Sequence, residues 1–318
     1  MTRLLDPDRP LGLLAQCPAH RATPLRRADG LMLKADSDRM GLGAFKALGG
    51  VYAVAALLGG DLAALASGRA GRGRVFTCAS AGNHGLSVAA GARLFGAAAR
   101  VHLSATVSEG FADRLRAKGA EVVRSGADYE ASVAAAIADA EASGATHLAD
   151  GSWPGYTEPP RLVMEGYTVI ARELREQIGP AGDWPARVYL QAGVGGLAAA
   201  MAETIRADWP VQPEIVVVEP EAAACLAASA AAGRSVTVAG PVSEMGRLDC
   251  KAPSMLAVEM LARAGVGYAT VSDAEARAAA GDAGALGLPT TASGAAGLAA
   301  ARRDGAAGAL VLITEGPA

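Results

Sequence analysis

Short β-prone apolar runs alternate with alanine-rich helical stretches along most of this chain, and that alternation limits the folds open to it more than any other feature. Leu31-Met32-Leu33-Lys34-Ala35, Val75-Phe76-Thr77, Ala99-Arg100-Val101-His102-Leu103, Glu121-Val122-Val123-Arg124 and Thr146-His147-Leu148 read as strands. So do Val188-Tyr189-Leu190, Ile215-Val216-Val217-Val218, Tyr268-Ala269-Thr270-Val271 and Ala309-Leu310-Val311-Leu312-Ile313. Helical patterning fills the gaps: Phe45 to Ala66 with a break at Gly59-Gly60, Asn83 to Phe95, Glu109 to Lys118 and Tyr129 to Ala140. Apolar strands separated by helices predict an α/β protein, with a buried, mostly parallel sheet and helices on both faces. Residues 1 to about 30, rich in proline and arginine, read as an irregular lead-in.

With 318 residues, the chain can bury one large core or two medium ones. Its hydrophobic content of 51% against 19% charged residues excludes disorder. A net charge of −3 without a long basic run argues against nucleic acid as a partner. Cys17, Cys78, Cys225 and Cys250 form no CxxC pair, which argues against a zinc site or a disulfide framework and fits a reducing cytoplasm. The opening residues lack a secretory apolar core, and no apolar stretch is long enough to span a bilayer. The expectation is a soluble cytoplasmic protein with no metal and no membrane partner.

Three segments carry chemistry. In Gly41-Leu42-Gly43-Ala44-Phe45-Lys46-Ala47-Leu48-Gly49-Gly50 a single lysine sits among glycines and apolar side chains. Such surroundings disfavour the charged amine, so its pKa is expected to fall, as a nucleophile or base requires. Ser80-Ala81-Gly82-Asn83-His84-Gly85 follows one strand, and Gly193-Val194-Gly195-Gly196-Leu197 follows another. Both read as strand-to-helix turns with free backbone N–H groups suited to anions. The second does not have the GxGxxG spacing of a dinucleotide site. An amine flanked by two anion sites suits an aldehyde, a phosphate and an amino acid carboxylate.

With those three segments, the chain resembles the fold type II pyridoxal-phosphate enzymes, the tryptophan synthase β-like group. Within it, Arg39-Met40-Gly41-Leu42-Gly43-Ala44-Phe45-Lys46 and Asp150-Gly151-Ser152-Trp153-Pro154-Gly155-Tyr156, with Met164-Glu165-Gly166-Tyr167, are most similar to diaminopropionate ammonia-lyases. The resemblance runs from about Thr23 to Thr314-Glu315-Gly316. It implies two open twisted sheets with flanking helices: a large cofactor-binding domain of residues 1–76 and 150–318, and a small domain of 77–149. It also implies pyridoxal 5'-phosphate, a small amino acid substrate and a homodimer.

Site roles follow from the same resemblance. Lys46 would hold the cofactor covalently and then take the Cα proton. Asn83 would bond the cofactor's phenolic oxygen, Gly193, Val194, Gly195, Gly196 and Leu197 would cradle its phosphate, and Thr314 would meet its pyridine nitrogen. Ser80, Ala81, Gly82 and His84 would bind the substrate carboxylate through backbone N–H groups, with no role for the imidazole. Asp150 would act on the β-amino group, with Trp153 and Tyr156 lining the substrate pocket. Arg247 and Asp249 are either specificity residues or part of a solvated loop.

In one respect the chain departs from the pattern. Diaminopropionate ammonia-lyases often carry an aspartate where Ala81 stands, and that acid suits the face of the cofactor opposite the lysine. Its absence predicts a preference for L-substrates and brings the turn closer to serine and threonine dehydratases. The expected reaction is elimination of the β-amine from L-2,3-diaminopropionate. A β-hydroxy amino acid dehydratase is the alternative, and an idle cofactor- or amino-acid-binding subunit the alternative from another class.

Overall fold

A computed structural model describes residues 3–17 and 19–317; the first two residues of the lead-in lie outside it. In chain order the first elements are α1 (Asp8–Leu14), β1 (Leu25–Ala28), β2 (Leu31–Ala35), α2 (Lys46–Leu57) and α3 (Leu62–Ala66). Next come β3 (Val75–Ala79), α4 (Asn83–Phe95), β4 (Ala98–Leu103), α5 (Glu109–Ala117), β5 (Ala120–Arg124), α6 (Tyr129–Ser143) and β6 (Thr146–His147). The remainder is α7 (Glu158–Ile178), β7 (Arg187–Gln191), α8 (Gly196–Asp208), β8 (Glu214–Pro220), α9 (Cys225–Ala232), α10 (Met255–Ala264), β9 (Gly267–Val271), α11 (Asp273–Ala285), α12 (Ala292–Arg303) and β10 (Leu310–Ile313).

Two sheets result. One has six strands in the order β1-β2-β10-β7-β8-β9, the other four in the order β5-β4-β3-β6. Every pairing is parallel except β1 with β2. β10 lies inside the larger sheet with all four residues buried, as a strand covered by helices on both faces must be. The α/β class and the two helix-flanked sheets are as expected. The lead-in is not irregular: α1 docks beside α7, and β1 adds an antiparallel edge to β2. Both elements owe their order to distant partners, which local patterning does not reveal.

Three helices decide where the chemistry sits. α2 is buried from Ala47 to Ala55 and packs against α4 on one side and α7 on the other. Close approach needs missing side chains. A Cβ on Gly49 would lie 2.6 Å from the Val163 carbonyl oxygen, and one on Gly166 2.7 Å from that of Leu48. The two glycines interlock α2 with α7, fixing the height of Lys46 at the first turn of α2.

Ahead of α2 the chain is anchored by a buried charge cluster. Lys34 Nζ donates to Glu173 at 2.7 Å, while Arg39 donates to Glu173 and to Asp36, each at 2.6 Å. Two cations balance two anions, the condition under which charges tolerate burial. Among the described residues no helix is long and apolar enough to cross a membrane.

Candidate active site

The catalytic candidates come from distant parts of the chain and meet where the C-terminal strand ends of the two sheets face each other. Lys46 is the first residue of α2, and its Nζ contacts the carboxylate of Asp150, which follows β6. Both side chains are 22% exposed and so reach the cleft. The Phe45 N–H donates to the Thr314 carbonyl at 3.0 Å, tying the lysine to the end of β10. Asp150 in turn lies beside the glycine loop: a Cβ on Gly196 would be 3.9 Å from the Asp150 carbonyl oxygen.

The charge state of the lysine is the reverse of the sequence expectation. Burial does work against the ammonium, but the Asp150 carboxylate beside it outweighs burial and holds Lys46 well above the ordinary lysine range. By the same pairing, the Asp150 carboxyl is held well below its usual range in spite of burial. The lysine whose pKa falls is Lys34, where burial prevails over the pull of Glu173 and Asp36. Apolar sequence neighbours alone could not reveal an anion 104 positions away.

The turn before α4 is built around Ser80. Its Oγ accepts the N–H groups of Gly82 and Gly85 at 3.3 and 3.1 Å, shaping the loop and taking one N–H of the first turn of α4. Gly82 occupies the N-cap in extended conformation and brings no side chain of its own, so the N–H groups of Asn83 and His84 at the positive end of α4 are not capped by it. Ala81 is exposed and brings no polar group. His84 Nε2 bonds the Leu148 carbonyl at 2.8 Å; since a carbonyl only accepts, Nε2 carries the proton and Nδ1 is bare, buried and unpartnered. Burial lowers the pKa of His84, so the ring is neutral at neutral pH. The imidazole therefore fastens the turn to the segment carrying Asp150, a task sequence reasoning did not give it.

The turn before α8 is likewise uncapped by any side chain. Gly195 there has φ +98°, a conformation that glycine adopts without strain. Gly193 lies against Cys250, whose Sγ would be 2.9 Å from an added Cβ, and the Val194 carbonyl accepts from the Ser254 N–H at 2.9 Å. Leu197 is buried in the first turn of the helix. At the end of β10, Thr314 Oγ1 accepts from Gln191 Nε2 at 3.2 Å. Its own proton has no acceptor among the described residues.

Asn83 donates from Nδ2 to Glu315 at 2.6 Å, and Glu315 also takes Arg247 at 3.0 Å and the Thr291 hydroxyl at 2.5 Å. Burial raises the pKa of Glu315. Arg247 thus belongs to the site, whereas Asp249 pairs with Lys251 outside it. Trp153 and Tyr156 stack at 4.2 Å, and Tyr156 Oη donates to the His147 carbonyl while accepting the Ala149 N–H. That hydroxyl is committed to backbone and braces the approach to Asp150. Glu315 and Tyr167, both inside the motifs, had no role assigned from sequence. The phenol of Tyr167 is buried and unpartnered, a signal that only packing reveals.

Residues 16–314 match the family described as pyridoxal-phosphate dependent enzyme. Over 276 residues the chain is 30% identical to diaminopropionate ammonia-lyase of Escherichia coli (strain K12), which covers 81% of this chain and 69% of that protein. Over 259 residues it is 32% identical to a probable D-serine dehydratase of Burkholderia thailandensis, covering 73% of this chain and 57% of that one. The crystal structure of the Escherichia coli diaminopropionate ammonia-lyase in complex with D-serine matches with a TM-score of 0.88 and 27% identity, over 99% of this chain and 90% of that chain.

Proposed function

The chain belongs to the pyridoxal-phosphate-dependent enzyme family, and we propose that it is an ammonia-lyase removing the β-amino group of L-2,3-diaminopropionate to leave pyruvate and ammonia. The observation that carries this reading is the contact of Lys46 with Asp150, a base and an acid joined in one cleft between two uncapped helix starts.

The residues present suit the cofactor. The N–H groups opening α8 stand free of side chains for a phosphate, and the Thr314 hydroxyl has a proton to give to a pyridine nitrogen. Asn83, with one N–H on Glu315, keeps its second for the phenolic oxygen. When bound, pyridoxal phosphate supplies the electron sink that makes the substrate Cα–H acidic. All other work falls to the chain. The first turn of α4 binds the substrate carboxylate through the N–H groups of Ala81, Asn83 and His84, which Ser80 Oγ leaves free. Lys46, a cation at rest, first passes its own proton to Asp150, and the freed Nζ then takes the proton as the Cα–H bond breaks. Asp150 delivers the proton it received to the β-nitrogen as the Cβ–N bond breaks, so ammonia leaves, the pair returns to its resting charges and no net proton is gained or lost. The released enamine hydrolyses to pyruvate and a second ammonia.

Ala81 supports the preference for the L-enantiomer, since it brings no acid to the turn before α4. A hydroxyl leaving group is the second reading, supported by the relative named for D-serine. The same reading assigns residues 1–76 and 150–318 to a large domain and 77–149 to a small one, and places the protein in the cytoplasm as a homodimer. The four unpaired cysteines support the compartment.

The test is release of ammonia and pyruvate by cofactor-loaded protein from both enantiomers of diaminopropionate and of serine, and from L-threonine. Two ammonia per pyruvate, from the L-diamine foremost, is the expected result. Turnover of hydroxy amino acids alone would replace the reading with a dehydratase.

A further inference from the structure

Tyr167 is only 2% exposed, and its hydroxyl has no hydrogen-bond partner. An unpaired buried phenol opposes folding, and phenylalanine would fill the same space without that cost. Its position is specific. The ring meets Phe45 edge-on, with centroids 4.9 Å apart, directly before the lysine. One edge faces α2, where a Cβ on Gly49 would fall 2.7 Å from Cζ; the other faces α8, where a Cβ on Gly196 would fall 3.9 Å from Cε2. The hydroxyl therefore sits on the cleft floor, between the first turn that carries Lys46 and the first turn that follows the glycine loop. No side chain caps that second turn.

We infer that the Tyr167 hydroxyl is a hydrogen-bond donor to the phosphate held at the start of α8, a ligand of the cofactor's anionic end that works beside the backbone of residues 193–197. The inference rests on the cofactor reading above. Two neighbouring groups are already committed: Lys46 and the Asp150 carboxylate are given to each other, and the turn at Ser80 belongs to α4, across α2 from α7. A phosphate monoester offers more acceptor positions than one glycine loop has N–H groups, and a rigid phenol supplies a further donor with little entropy left to lose.

The experiment compares wild type with Tyr167→Phe in two measurements. Equilibrium binding is measured with pyridoxal phosphate and with pyridoxal, which lacks the phosphate. Thermal unfolding is followed on the ligand-free proteins. Pyridoxal phosphate is expected to bind about tenfold more weakly to the variant. Pyridoxal should bind both proteins alike, and the ligand-free variant should melt no lower than wild type. Equal weakening for both aldehydes, or no weakening for the phosphate ester, overturns the inference. Failure of wild type to bind pyridoxal phosphate at all would instead remove the reading beneath it.

Discussion

At Lys46 two opposing forces act on one ammonium, and their balance depends on a single carboxylate. Burial favours the neutral amine, while Asp150 favours the cation and prevails. Asp150→Asn leaves burial unopposed, so the folded-state pKa of Lys46 falls and a larger fraction is free amine at pH 7. Two effects of opposite sign follow. Covalent uptake of the cofactor at pH 7, followed by absorbance, is expected to quicken, and its dependence on pH to shift toward acid. Turnover is expected to fall by about a hundredfold or more, because the proton relay to the leaving amine is lost. If uptake and turnover slow together, the pair does not govern the charge of Lys46. At this scale the sequence singled out a lysine and an aspartate that the structure brings into contact, but gave the direction of the pKa wrongly. Lys34, in β2, is the depressed one, and nothing in its own neighbourhood marks Glu173 as its partner.

The geometry of the site is set by how closely α2, α4 and α7 pack. Gly166 faces the Leu48 carbonyl, so Gly166→Ala overpacks a helix contact and is expected to destabilise by about 3 kcal/mol. It should also lower turnover, by tilting the first turn of α2. Gly110 in α5 provides the contrast, because a Cβ there meets nothing within 4 Å. Gly110→Ala is expected to stabilise by up to about 1 kcal/mol through helix propensity alone. Thermal melts of both variants check the pair, and a neutral Gly166→Ala would contradict the packing argument. Elements as such were readable: α4 begins at Asn83 and ends at Phe95 where the apolar pattern and Gly96 place it. Partners were not. Asn83 and Glu315 are 232 positions apart, and β1 is a strand only because β2 lies beside it. Local periodicity records which face of an element is buried, not what buries it.

In the whole molecule, the uncapped helix starts belong to different sheets: α4 follows β3 of the four-stranded sheet and α8 follows β7 of the six-stranded one. A ligand bridging them stabilises the folded state by mass action, by about 2.7 kcal/mol at a hundred times its dissociation constant. Pyridoxal phosphate is thus expected to raise the melting temperature by several degrees. Lys46→Ala should keep part of that rise, since on the proposed function the glycine loop would hold the phosphate independently of the lysine. Complete loss of the rise in that variant would mean that the covalent link, not the loop, holds the cofactor. The fastening of His84 to Leu148, and of Tyr156 to His147 and Ala149, has a further consequence. The turn at the start of α4 and Asp150 are two marks on one rigid gauge, and the packing of α2 against α4 keeps the lysine beside it. If the sheets rock against each other, the spacing between those marks stays constant. On the proposed function that fixed span would act as a ruler, setting the distance from a substrate's carboxylate to its leaving group.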